Sequence, residues 1–154
     1  MNIFVMSRHE AIRHCYYQHE RPTAIISISD PYMSYTSEPF VSEAANIIDV
    51  LRLSFSDADR PMTADVYGRM TTEDDLMKDE DAEAVVQFVG RHSDADLIVH
   101  CDAGISRSAG VAGGIMKYIF GDDSPVFDSG YHRPNMWCYR KTLEAFHKNL
   151  EENS

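Results

Sequence analysis

The chain has 154 residues, 44% of them hydrophobic and 25% charged, enough for a single domain around one core and too few for two independent lobes. Its formal charge of −11 repels polyanions over a Debye length, which argues against nucleic acid and anionic membrane as partners while leaving room for a local basic pocket. Cys15, Cys101 and Cys138 cannot all pair within the chain and lack metal-ligand spacing, and no apolar run approaches the roughly 20 residues of a membrane span, so a reduced, soluble, cytoplasmic protein is expected.

In chain order, the apolar run Ile3 to Met6 reads as a strand, and Ser7 with Glu10 forms a capping-box pattern that predicts a helix to about Glu20. Arg21 and Pro22 break that helix before the β-branched run Ala24 to Ile28, a buried strand. Asp30 to Pro39 reads as a loop. Leu51, Leu53 and Phe55 then alternate with Arg52, Ser54 and Ser56, which predicts a strand from Ile47 to Asp57 with one buried face. A loop to Thr71 follows, and Thr71 or Thr72 is expected to cap a long acidic helix to about His92, with Leu76, Ala84, Val85, Phe88 and Val89 on one face. Asp96 to His100 is a short buried strand that runs straight into Cys101. Ser108 to Phe120, rich in small residues, reads as a helix packed closely on a sheet, and Gly121 to Pro125 ends it. After Pro134 a last helix is predicted from Asn135 to Asn149, with Trp137, Leu143 and Phe146 in the core. Alternating strands and helices point to an α/β layer fold.

The chemistry concentrates between His100 and Ser108. A thiol attacks phosphorus well only as its thiolate, so a nucleophilic Cys101 needs surroundings that favour negative charge. A tight loop running from a strand into a helix supplies them. The amides of Asp102, Ala103, Gly104, Ile105 and Ser106 can converge on one point, where the helix dipole adds positive potential. The same cradle would hold a phosphate. Gly104 permits a backbone that a side chain would obstruct, and Arg107, returning at the helix start, can grip two phosphate oxygens with its planar guanidinium. Ser108 stands where its hydroxyl can bond to the thiolate and help sulfur leave. A buried small hydrophobe is the ordinary reading of a lone cysteine at a strand end, but the residue types fixed around Cys101 weigh against it.

His100-Cys101, five residues, then Arg107-Ser108 resembles the signature of the protein tyrosine phosphatase superfamily, and Ala103 to Ser108 is most similar to its dual-specificity branch. The resemblance implies a central mixed, mainly parallel sheet flanked by helices, with a phosphate-binding loop between the strand ending at His100 and the next helix. It also implies a two-step reaction through a phosphocysteine, with neither metal nor organic cofactor. An aryl leaving group departs faster when its oxygen is protonated, so such an enzyme needs a carboxylic acid near the cysteine. Leu51 to Asp57 is similar to the stretch that carries the acid in that branch, which makes Asp57 the candidate and Asp59 its competitor. His100 is expected to orient the loop and tune the thiolate by hydrogen bonding rather than act as an acid. Pro134-Asn135 resembles the dipeptide that opens the last helix in many relatives, so Asn135 either braces the site or only caps that helix. Tyr131, His132 and Arg133 form either a rim or an ordinary loop, and Cys15 and Cys138 read as packing residues.

Without a lysine or second arginine between Cys101 and Arg107, the expected substrate is a phosphorylated protein or small phosphomonoester rather than an inositol lipid. Two other readings use the same loop. One is a phosphoprotein-binding pseudophosphatase, and the other is a sulfurtransferase or arsenate reductase.

Overall fold

The computed structural model describes residues 1–33 and 38–153. Within the expected loop from Asp30 to Pro39, residues 34–37 lie outside the described residues. Four strands, β1 (Ile3–Met6), β2 (Thr23–Ser29), β3 (Ile47–Ser54) and β4 (Asp96–His100), form one sheet in the order β1-β4-β2-β3. Every described pairing between them is parallel, so the sheet is purely parallel rather than mixed. Its helices are α1 (Arg8–His14), α2 (Asp79–Arg91), α3 (Arg107–Phe120), α4 (Ser124–Phe127) and α5 (Met136–Glu152). No helix of the described residues is long and apolar enough to cross a membrane.

The unbroken apolar runs of β2 and β4 follow from burial on both faces. Ala24, Ile26, Ile28, Leu97 and Val99 pack with α2, α3 and α5 in the larger core, whereas Ile25 and Ile98 face a smaller cluster with Ala11, Cys15, Ala45 and Ile47. Helices α3 and α5 approach closely because Gly110 has no Cβ, which would overlap the Asn135 carbonyl oxygen. Gly121, in the left-handed region at φ 70°, ends α3, and the short α4 was not expected from sequence.

Two predicted helices are shorter than their patterns suggested. Helix α1 stops at His14, because the following segment is tied elsewhere: His19 N donates to Ala45 O at 3.0 Å and Asn46 Nδ2 to His19 O at 3.2 Å. The expected helix from Thr72 begins only at Asp79. Thr72 instead closes a single 3-10 turn, Glu73–Asp75, through Asp75 Oδ2 at 2.7 Å. The buried Met77 then stays outside the helix, with its carbonyl bonded by Trp137 Nε1 at 2.8 Å. Of the residues expected in the core of the last helix, Phe146 is buried, whereas Trp137 and Leu143 are only partly so.

Register decides what the sheet presents. Met6 and Ser27 both pair with His100, and Ser29 pairs with Ser54, so all four strands end along one edge. The residues that follow them, Arg8, Asp30, Asp57 and Cys101, are therefore gathered at the carboxyl edge of a parallel sheet, where ligand crevices form in such folds.

Candidate active site

Strand β4 delivers Cys101, whose sulfur is recessed: the residue is 3% exposed and its Sγ lies 3.1 Å from Ser108 Oγ. The loop carbonyls are held from outside. His100 Nδ1 donates to Cys101 O (2.8 Å), Arg8 N to Asp102 O (3.1 Å), His132 Nδ1 to Gly104 O (3.0 Å), Arg133 N to Ile105 O (2.9 Å) and Asn135 N to Ser106 O (3.0 Å). Among the described residues, the amides of 102–106 meet no protein acceptor. Successive amides left this way at a helix start are suited to an anion. Gly104 is needed twice over, because its φ is +75° and a Cβ there would lie 2.7 Å from the Met6 carbonyl oxygen.

Arg107 opens α3 and is 2% exposed. Its Nη1 donates to Asp30 Oδ1 and to Phe55 O, both at 2.8 Å. Burial opposes its charge, but Cys101, Asp30 and Asp57 more than offset that and hold its pKa above the ordinary value. Its Nε is buried without a hydrogen-bond partner among the described residues, 4.0 Å from Asp57 Oδ2. That edge of the guanidinium can take two oxygens of a tetrahedral anion.

Asp57 lies three residues past the end of β3, not on the strand itself. Ser56, expected on the solvent face, is buried and bonded to Tyr32 Oη at 2.7 Å. The Asp57 Oδ1 accepts from Ser106 Oγ at 2.8 Å and from Asn135 Nδ2 at 2.9 Å. Asp59 is exposed. Both carboxylates line an open cleft of about 450 Å3 with Ser106, Arg133 and Asn135. Asn135 combines the two expectations raised for it, since its Oδ1 accepts from Cys138 N to cap α5 while its Nδ2 reaches Asp57.

His100 is fully buried, and burial is the main cause that lowers its pKa to about 4. Its Nδ1–H is committed to the Cys101 carbonyl, so Nε2 of the neutral ring accepts from Ser27 Oγ, 2.6 Å away. The ring thus fixes backbone rather than touching sulfur. His132 and Arg133 are tied to the loop through their bonds to the Gly104 and Ile105 carbonyls. Burial raises the thiol pKa of both Cys15 and Cys138, which suits packing residues.

Asp30, Arg8 and Tyr67 were not anticipated. Arg8 supports Asp102 with its backbone amide and crosses to β2, donating Nη2 to Ile28 O at 3.1 Å. The available signal for Asp30 was a charged residue immediately after a buried strand.

No family model and no curated protein matches the sequence. Solved structures do match. The human tyrosine phosphatase-like serine/threonine/tyrosine-interacting protein aligns at a TM-score of 0.62 and 17% identity, over 97% of this chain and 93% of that one. PTPMT1 in complex with PI(5)P aligns at 0.59 and 13%, over 99% and 95% of the two chains. Human DUSP28 aligns at 0.54 and 15%, over 99% and 95%. What these chains share at such identities is the path of the backbone. This chain therefore has the same fold as these structures, the cysteine-phosphatase fold.

Proposed function

We propose that this chain is a phosphomonoester hydrolase of the protein tyrosine or dual-specificity type, a single domain that acts through a phosphocysteine at Cys101. The observation that carries the reading is one loop combining a recessed thiol with, among the described residues, amides of 102–106 that meet no protein acceptor and a buried Arg107 whose Nε has no hydrogen-bond partner. In the first step the Cys101 thiolate attacks phosphorus, the bond from phosphorus to the ester oxygen breaks, and Asp57 donates its proton to that oxygen. The Asp57 Oδ1 already receives two donors, so Oδ2, the oxygen nearer Arg107, carries the proton. The loop amides and Arg107 bear the equatorial charge of the transition state. In the second step water attacks phosphorus, Asp57 takes its proton, the sulfur–phosphorus bond breaks, and the Ser108 hydroxyl stabilises the departing thiolate.

Asp102 places a carboxylate beside the cradle, and between Cys101 and Arg107 there is no further cation. This supports a phosphorylated protein over an inositol polyphosphate or lipid. The nucleophile must remain a free thiol, which suits the reducing cytoplasm.

Hydrolysis of p-nitrophenyl phosphate and of phosphopeptides by reduced wild type and by Cys101→Ser tests the reading. Turnover by wild type, its loss in Cys101→Ser and a trappable phosphocysteine are expected. Phosphopeptide binding without turnover by wild type would make the chain a pseudophosphatase. Thiosulfate or arsenate chemistry in place of ester hydrolysis would make it a sulfurtransferase or arsenate reductase.

A further inference from the structure

The segment between Ala58 and Thr72 is folded back on itself. Met62 N donates to Thr71 O at 2.9 Å, Thr71 N to Thr63 O at 2.9 Å and Asp65 N to Arg69 O at 2.7 Å. The buried Asp65 fixes the tip, its Oδ1 accepting from the amides of Tyr67 and Arg69, each at 2.9 Å. Gly68, at φ +79°, completes the turn. The tip carries Tyr67, whose hydroxyl lies 3.1 Å from Asp30 Oδ2 and 3.3 Å from Asp102 Oδ2. Asp30 holds Arg107 with its other oxygen, and Asp102 is the first residue after Cys101. One phenol proton is thus in reach of carboxylates on two walls of the cradle, while the residue stays 52% exposed.

We infer that Tyr67 is a positioning and specificity-determining residue: its hydroxyl pins the hairpin tip to both walls of the phosphate cradle, and its ring forms an entrance wall that selects a flat aryl leaving group over a short alkyl one. The inference rests on the phosphatase reading of the loop. Cys101 and Arg107 lie at the floor, 3% and 2% exposed, and phosphorus must come within about 3–3.5 Å of the sulfur before it reacts. The ester side chain therefore has to extend from that floor past the phenol at the rim. An aryl phosphate does so with its ring beside that of Tyr67, a contact worth roughly 2- to 12-fold in affinity. A phosphoserine has one methylene to span the same depth, which draws the peptide backbone down onto the tip.

Steady-state kinetics on a phosphotyrosine peptide and its phosphoserine counterpart test this. Tyr67→Ala, which loses both ring and pin, is expected to raise KM on both peptides and to lower kcat/KM on the phosphotyrosine peptide by up to about tenfold more than on the phosphoserine peptide. Tyr67→Phe keeps the ring but releases the tip, so KM rises on both peptides and their ratio is preserved. An equal loss on both peptides in Tyr67→Ala, or no change in either variant, overturns the inference. If wild type turns over neither peptide, the phosphatase reading fails, and calorimetric binding of the same peptides to Cys101→Ser, with and without Tyr67→Ala, decides the role of Tyr67 separately. Loss of phosphotyrosine selectivity there supports it, and unchanged or absent selectivity overturns it.

Discussion

Arg107 and Asp30 meet at 2.8 Å although 77 residues separate them, and each side chain is 2% exposed. Strand β2 ends one residue before Asp30, and the loop after β4 leads into Arg107, so the pair locks two neighbouring strand ends together. A buried ion pair adds little net stability, but removal of one partner strands the other. Asp30→Ala is therefore expected to destabilise the fold by about 3–5 kcal/mol. It should also weaken competitive inhibition by inorganic phosphate, because the guanidinium loses its orientation. Asp30→Asn keeps one acceptor and should lose less on both counts. Urea unfolding and phosphate inhibition constants check this, and an Asp30→Ala protein that matches wild type in both would remove Asp30 from the site.

Asp57 and Asp59 are two residues apart, yet only Asp57 is bonded to Ser106 and Asn135. If Asp57 is the proton donor, activity needs a thiolate and a protonated carboxyl together, which makes the pH profile bell-shaped. Asp57→Asn should then lower turnover of a poor leaving group by on the order of 10²-fold and abolish the alkaline limb. A good leaving group should be affected less. Asp59→Asn should stay near wild type. The reverse pattern in the two variants would transfer the role to Asp59.

His100 predicts an acid sensitivity. Its pKa is about 4 in the folded chain and near 6.5 when unfolded, so the unfolded state takes up the proton first as pH falls. The associated stability is whole above pH 6.5 and is lost between there and pH 4, approaching about 3 kcal/mol. Melting temperatures across that window should fall for wild type and fall less for His100→Gln. The same slope in both proteins would assign the sensitivity to another group.

Several elements were legible from short-range pattern. Strands β1 and β4 occupy the predicted residues, β2 extends one residue further at each end, and α3 starts one residue early. The long helices were legible in kind but not in extent. Thr72 carries a sound cap signal, but the cap serves one 3-10 turn, because Ser56 N bonds Asp75 O at 2.7 Å and Trp137 holds Met77 outside a helix. Helix α1 likewise ends where the segment near Ala45 claims His19. In each case a partner distant in sequence took a backbone group that local propensity would have given to the helix.

The sequence by itself determined the loop from Cys101 to Arg107, since a cysteine at a strand end, a glycine required by backbone geometry and a guanidinium at a helix start fall within seven contiguous residues. It also determined the alternating layers, because unbroken and alternating apolar runs can be buried in few ways. Only the tertiary structure decided which carboxylate meets Ser106, that Asp30 holds Arg107, and that Tyr67 stands over the cradle. Those groups come from four separate segments, and they converge because four parallel strands end in register along one edge, a relationship that exists only once the sheet has formed.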